Sequence, residues 1–210
     1  SHAQSLGRDL RIRLRVLDDP LLAALPWELL YDTREQRFIA LRPDVVLTRT
    51  VEAQQPARDL AMAPPLRVLA MASQPSDMAA LDLDRERAQL ERSLARLGAG
   101  VELRWVDGQS WRALHDALQQ ADWHVFHFLG HGLFDRTAGS GALAFAGDDG
   151  LAELHTAEEL SRLLGDHDAL RLVVLNACEG AQDGGSQMDA GIAQQLVRAG
   201  VPAVVAMQGP

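Results

Sequence analysis

An α/β fold with a mainly parallel central sheet is predicted by three features of the sequence. From residue 66 onward, short apolar runs alternate with helix-patterned segments, the order that builds parallel sheets through helical crossovers. The run Leu66–Ala72 (LRVLAMA) lacks the in–out alternation of a half-exposed strand, as expected where helices cover both faces. The first fifty residues carry a different, alternating pattern, which predicts a small antiparallel strand layer ahead of the main domain. The expected division is therefore residues 1–60 as a β-rich subregion with its linker, and residues 61–210 as the α/β domain.

The elements follow in order. In residues 10–17 (LRIRLRVL), Leu10, Ile12, Leu14 and Val16 alternate with Arg11, Arg13 and Arg15, which reads as a strand with one wet face; the arginines can serve as an anion site or as a solvated face. Residues 26–30 (PWELL) read as one helical turn opened by proline. Residues 38–41 and 45–50 read as a hairpin across Arg42-Pro43-Asp44. Residues 52–65 form a linker. After the strand Leu66–Ala72, residues 82–97 make a charged helix with Leu83, Leu90, Leu94 and Leu97 on its apolar side, stopped by Gly98 and Gly100. Residues 101–106 are the next strand, and Ser110 caps a helix running to about Gln120. Strands are expected at 123–129, 170–175 and 201–207. Between the first two of these lie a hairpin, with arms near 133–135 and 142–145, and a helix over 156–164. Another helix spans 188–198. The pattern stops directly after the last strand, so an edge strand or capping helix is expected beyond it.

Composition narrows the function classes. The chain is 47% hydrophobic and 23% charged, within the range of globular domains. Its formal net charge of −9 argues against a broad nucleic-acid footprint. No apolar run reaches the roughly 18 residues a membrane span needs. The single cysteine excludes an internal disulfide and fits a reducing cytoplasm. Every basic side chain is arginine, which suggests GC-rich coding DNA and a bacterial source. No cofactor and no metal are expected. Neither phosphate-binding glycine motif occurs. His124 and His127 fall on opposite faces of one strand, His155 and His167 read as surface residues, and Asp148-Asp149-Gly150 reads as a turn.

The chemistry concentrates at two strand ends, where open α/β sheets bind ligands. One strand runs into HFLGHG, residues 127–132, and another into LNACEG, residues 175–180. Each places a reactive side chain beside glycine. Taken alone, Cys178 reads more readily as a small buried hydrophobe and His131 as a polar turn residue. Together, an imidazole and a thiol at adjacent strand tips supply what thiol-based acyl transfer needs: a nucleophilic sulfur and a base for its proton. The amides of Gly132 and Cys178 are candidates to hold an oxyanion.

His131 precedes Cys178 by 47 residues, close to the histidine-to-cysteine spacing of caspases, about 50 residues. The segments HFLGHG, LVVLNACEG (172–180) and GVPAVVAMQ (200–208), with LPWELLY (25–31) and PPLRV (64–68), together resemble the CHAT domain, a caspase-like family often joined to tetratricopeptide repeats. The resemblance covers nearly the whole chain. It implies a three-layer caspase–hemoglobinase fold and, in active members, proteolysis of a protein or peptide substrate. It carries the base role to His131, the nucleophile role to Cys178 and the oxyanion hole to the Gly132 and Cys178 amides. It also implies a regulatory repeat domain or partner protein.

The sequence departs from the caspase signature at Asn176 and Glu179. Arginine-directed relatives place an acid two residues before the nucleophile, where this chain has Asn176. Asp77 is a second substrate-binding candidate; its alternative is a turn residue within residues 73–77. The loop 182–187 reads either as a mobile shaper of the site or as a solvated loop. The competing readings are a catalytically silent CHAT module acting as an interaction or signalling platform, and a flavodoxin-like small-molecule binder, against which the missing phosphate loop counts.

Overall fold

In a computed structural model of the chain, the alternating LRIRLR segment forms β1 (Leu10–Arg15), with Ile12 and Leu14 half-buried and Arg11 and Arg13 exposed. The structure describes residues 10–15, 25, 27–50, 63–135, 140–178 and 188–206. They divide into two compact units, Ser1–Glu52 and Ala53–Pro210.

In the first unit a 3-10 turn (Trp27–Leu29) leads into a short hairpin, β2 (Tyr31–Asp32) with β3 (Arg37–Phe38). The Asp32 carboxylate accepts from the Arg34 and Glu35 amides at 2.9 and 3.3 Å and closes the turn. These bonds hold its carboxyl below the ordinary range. The expected hairpin of residues 38–41 with 45–50 does not form. Residues 39–41 coil into a 3-10 turn, and β4 (Val45–Thr50) pairs in parallel with β1, Leu10 opposite Val45. The buried Arg42 explains the departure. Its guanidinium bonds Asp44 at 2.8 and 3.1 Å and Glu35 at 2.9 Å, which ties the expected turn back to the chain ahead of residues 39–41, and their 3-10 turn leaves no extended arm to pair with β4.

The second unit alternates strands and helices. It comprises β5 (Leu66–Ala72), α1 (Leu83–Ala95), β6 (Val101–Trp105), α2 (Trp111–Leu118), β7 (Val125–Asp135), β8 (Ser140–Ala146), β9 (Ala152–Thr156), α3 (Ala157–Gly165), β10 (Leu172–Cys178), α4 (Met188–Arg198) and β11 (Ala203–Ala206). Five parallel strands lie in the order β11-β10-β7-β5-β6, and β8 and β9 extend the sheet antiparallel from the far end of β7. The mainly parallel sheet predicted from the sequence is the one found. The chain steps outward from β5 to β6, then returns across β5 and proceeds through β7 and β10 to β11. Right-handed crossovers therefore put α1 on one face and α2, α3 and α4 on the other, which makes three layers.

The core lies on the three-helix face. Leu69, Met71, Phe126, Phe128, Val173 and Leu175 of the sheet pack with Leu114, Leu118, Leu160, Leu164, Ile192 and Leu196 of the helices. Each such buried side chain contributes roughly 1.5–3 kcal/mol. Ser110 caps α2 as expected, accepting from the Ala113 amide; Asp82, read as the first helical residue, instead caps α1 by accepting from the Arg85 amide, and Thr156 likewise caps α3 in a capping box with Glu159. The opposite face is more thinly covered, since α1 has no buried residue. The middle of α1 is pinned to the end of β6, where Arg87 sits 4.3 Å over the Trp105 ring and Trp105 Nε1 donates to Glu91 at 2.9 Å. No helix among the described residues is long and apolar enough to cross a membrane.

Candidate active site

The segment HFLGHG does not turn at the strand end as the sequence suggests. It continues as strand: β7 runs eleven residues, pairing first with β5 and β10 and, from His131 onward, with β8. That length carries His131 past the tip of β5 and beside the last residue of β10. In the β7–β10 register Asn176 stands opposite Leu129 and Cys178 opposite His131. Strand alternation puts positions 129, 131, 176 and 178 on one face, the face that α1 covers.

His131 is buried, with 5% of its surface exposed. Its Nε2 lies 2.8 Å from the Ala79 carbonyl. A carbonyl oxygen only accepts, so Nε2 carries its proton toward Ala79 and the neutral ring has its free lone pair on Nδ1. The Ala79 carbonyl is itself held. Gln74 Nε2 donates to it at 3.0 Å and to the Pro75 carbonyl at 3.2 Å, while Gln74 Oε1 accepts the Leu81 amide at 2.8 Å. One glutamine side chain thus braces the loop between β5 and α1, and the loop braces the imidazole. Neither Gln74 nor Ala79 stands out in the sequence; a backbone carbonyl carries no residue-type signal.

Glycine is required at 130 by close packing. A Cβ there would meet Phe128 ring carbons at 2.7 Å and the Ser73 carbonyl at 3.1 Å. Phe128 is fully buried with its ring centroid 5.3 Å from that of Phe145, so it has nowhere to retreat. Gly130→Ala is expected to destabilise the fold by about 1–3 kcal/mol in chemical denaturation, as overpacking does. At Gly132 a Cβ would be 3.4 Å from both the Ala177 Cβ and the Ala177 carbonyl, so the Gly132 backbone lies directly against the strand end that leads into Cys178.

The other candidate residues separate. Asn176 sits on the same face as His131, half-buried, its Nδ2 donating to Glu86 Oε2 at 3.3 Å. Asp77 is elsewhere: its Oδ1 accepts the Ala152 amide at 2.9 Å, and the neighbouring Ser76 bonds the Gly150 carbonyl, which ties both to the turn before β9. Glu179 and the loop 182–187 lie outside the described residues. His124 accepts the Arg67 amide on Nδ1 at 2.9 Å, at the opposite end of β7. Burial, with Arg67 and Arg171 nearby, lowers its pKa, and burial alone lowers that of His127. Asp148 and Asp149 form the expected turn, closed by Gly150 at φ 79°.

His155 is not a surface residue. β9, which the sequence pattern does not reveal, turns it inward, where its ring stacks on Trp111 at 4.1 Å and meets the edge of Phe145 at 5.4 Å. Among the described residues no group of three histidine, cysteine, aspartate or glutamate side chains could hold a metal ion.

Compared with known proteins, residues 2–210 fit a family model described as CHAT domain. No curated protein matches the chain.

Proposed function

The chain belongs to the CHAT domain family, and from that premise we propose that it is a caspase-like cysteine endopeptidase in which Cys178 is the nucleophile and His131 the base. The observation that carries this reading is the pairing of the two positions in register on adjacent parallel strands, with His131 Nε2 committed to Ala79.

His131 Nδ1 takes the Cys178 thiol proton, and the thiolate attacks the substrate carbonyl carbon. The carbonyl π electrons move to oxygen, and the Gly132 and Cys178 amides hold the resulting oxyanion. As the tetrahedral intermediate collapses, the C–N bond breaks and the amine leaves with the proton from His131. Water, deprotonated by the same imidazole, then cleaves the thioester and restores the thiol. Throughout, the Nε2–H bond to Ala79 keeps Nδ1 turned away from the loop and stabilises the imidazolium. The substrate is a protein or peptide, and the family's association with tetratricopeptide repeats suggests a regulatory domain or partner that controls access.

Gln74 is a positioning residue in this scheme. Gln74→Ala is expected to lower kcat about tenfold with little change in KM, because misplacing a catalytic group costs rate rather than binding. The Leu81 amide, which loses its acceptor, should exchange with solvent faster by NMR. The whole reading is tested by presenting a peptide library to the protein and to its Cys178→Ala variant. Cleavage by the parent alone supports it; no cleavage by the parent, with no labelling of Cys178 by a peptide-based thiol electrophile, refutes it.

A further inference from the structure

The position two residues before Cys178 is a neutral asparagine, yet the fold brings a carboxylate to it. Glu86, one turn into α1, accepts a hydrogen bond from Asn176 Nδ2 at 3.3 Å. The two line a recess of about 170 Å³, walled by Leu81, Leu83 and Leu129, with Asp82 at its rim. Leu129 is opposite Asn176 in the strand register and is 2% exposed, so the recess wall is the sheet itself.

The charges around the recess favour a cation. Among the described residues no arginine pairs with Glu86. Its sequence neighbour Arg87 is engaged over Trp105 instead. The first turn of α1 carries Asp84 and Glu86, and Asp82 caps it, so an anion at this helix start meets three carboxylates rather than free amides.

Shape and chemistry select within the cations. Two strand residues span about 6.6 Å, so a substrate carbonyl over position 178 is that far from the Asn176–Glu86 pair. A long side chain crosses this gap; a short one leaves the half-buried Glu86 carboxylate with the Asn176 amide but no counter-charge. The leucine walls suit an aliphatic stem. At the end, Glu86 offers carboxylate oxygens, and Asn176, whose amide nitrogen is already donating, offers Oδ1 as a further acceptor. A guanidinium can donate to both in one plane, which a lysine ammonium matches less well.

We propose that Glu86, oriented by Asn176, is the specificity-determining residue of the site, and that the recess takes the basic side chain, arginine ahead of lysine, of the residue whose carbonyl is attacked. This rests on Cys178 being the nucleophile only for where the substrate carbonyl lies. The acid that arginine-directed relatives carry on the strand is supplied here by the helix packed above it.

The test is binding to the full chain carrying Cys178→Ala, which cannot cleave. Peptides identical except for arginine, citrulline, lysine, leucine or aspartate at that residue are titrated by fluorescence anisotropy. Citrulline keeps the shape of arginine and removes the charge. The arginine peptide is expected to bind about tenfold more tightly than the citrulline peptide, and the added substitution Glu86→Gln should reduce that ratio to about one. Glu86→Gln preserves shape on a helix with no buried residue, so the variant is expected to melt with the parent. Equal binding of arginine and citrulline peptides overturns the proposal, as does a preference that survives Glu86→Gln. Because the readout needs no thiol, an uncleaved library with normal arginine selectivity would count against the peptidase reading alone.

Discussion

Cys178→Ala is expected to cut peptide hydrolysis by about three orders of magnitude or more, with the melting temperature within about 2 °C of the parent. The chain has one cysteine, so no second thiol can take over the covalent step. Alanine keeps the backbone that supplies the proposed oxyanion amide, and what remains is the small acceleration that binding and the oxyanion site give without a nucleophile. A surviving rate above about a tenth of the parent would mean that the hydrolysis has another source. Mass spectrometry adds a second readout: a peptide-based electrophile should add to the parent at residue 178 and leave the variant unmodified.

His131→Ala is expected to lower the same activity by about 10² to 10⁴, the range that a positioned acid–base contributes. The substitution removes the proton acceptor for the thiol and the donor for the departing amine. It also removes one of the two donors to the Ala79 carbonyl, leaving Gln74 Nε2. That second loss is structural, and it costs roughly 1 kcal/mol of stability. The two effects separate in one experiment. Free imidazole added to the variant should restore part of the rate if the missing function is proton transfer, whereas a disordered loop would not respond to it.

The sheet is readable in the sequence because its signals are local. LRVLAMA and LVVLNAC are largely apolar on both faces, and Ser110 announces its helix through the side chain that caps it. Pairing partners are less readable. The alternation in LRIRLR is the same whether its neighbour runs parallel or antiparallel, and that neighbour, β4, begins 35 residues later with Val45 opposite Leu10. β9 escapes notice because AELHT is only five residues long and its apolar–polar alternation points the wrong way, with His155 buried and Leu154 exposed. With it go the inward placement of His155 and the amide at Ala152 that engages Asp77.

The candidate site divides along the same line. His131 and Cys178 are visible because unusual residue types sit close to glycine where the continuous apolar runs of the strands give out. Gly130 in particular is demanded by a contact, Phe128 against the chain two residues on, that leaves its mark on the sequence as a glycine. The supporting parts are not visible. Ala79 acts through its backbone oxygen, and Gln74 reads as one polar residue in a turn. Glu86 lies in DRERAQLER, which reads as a solvated helix face; only the crossover that lays α1 over the end of β10 turns it into a neighbour of Asn176. Side chains that act through tertiary contact leave no periodic trace.

The central claim is that His131 activates Cys178, and the rate of Cys178 alkylation as a function of pH tests it most directly. With a small neutral electrophile such as iodoacetamide, the parent is expected to react at about pH 6 to 7 far faster than a free thiol, whose pKa is about 8.5. In His131→Ala the profile should move to that of a free thiol, with the rate at about pH 6.5 falling by about tenfold or more. Superimposable profiles for the two proteins would contradict the account.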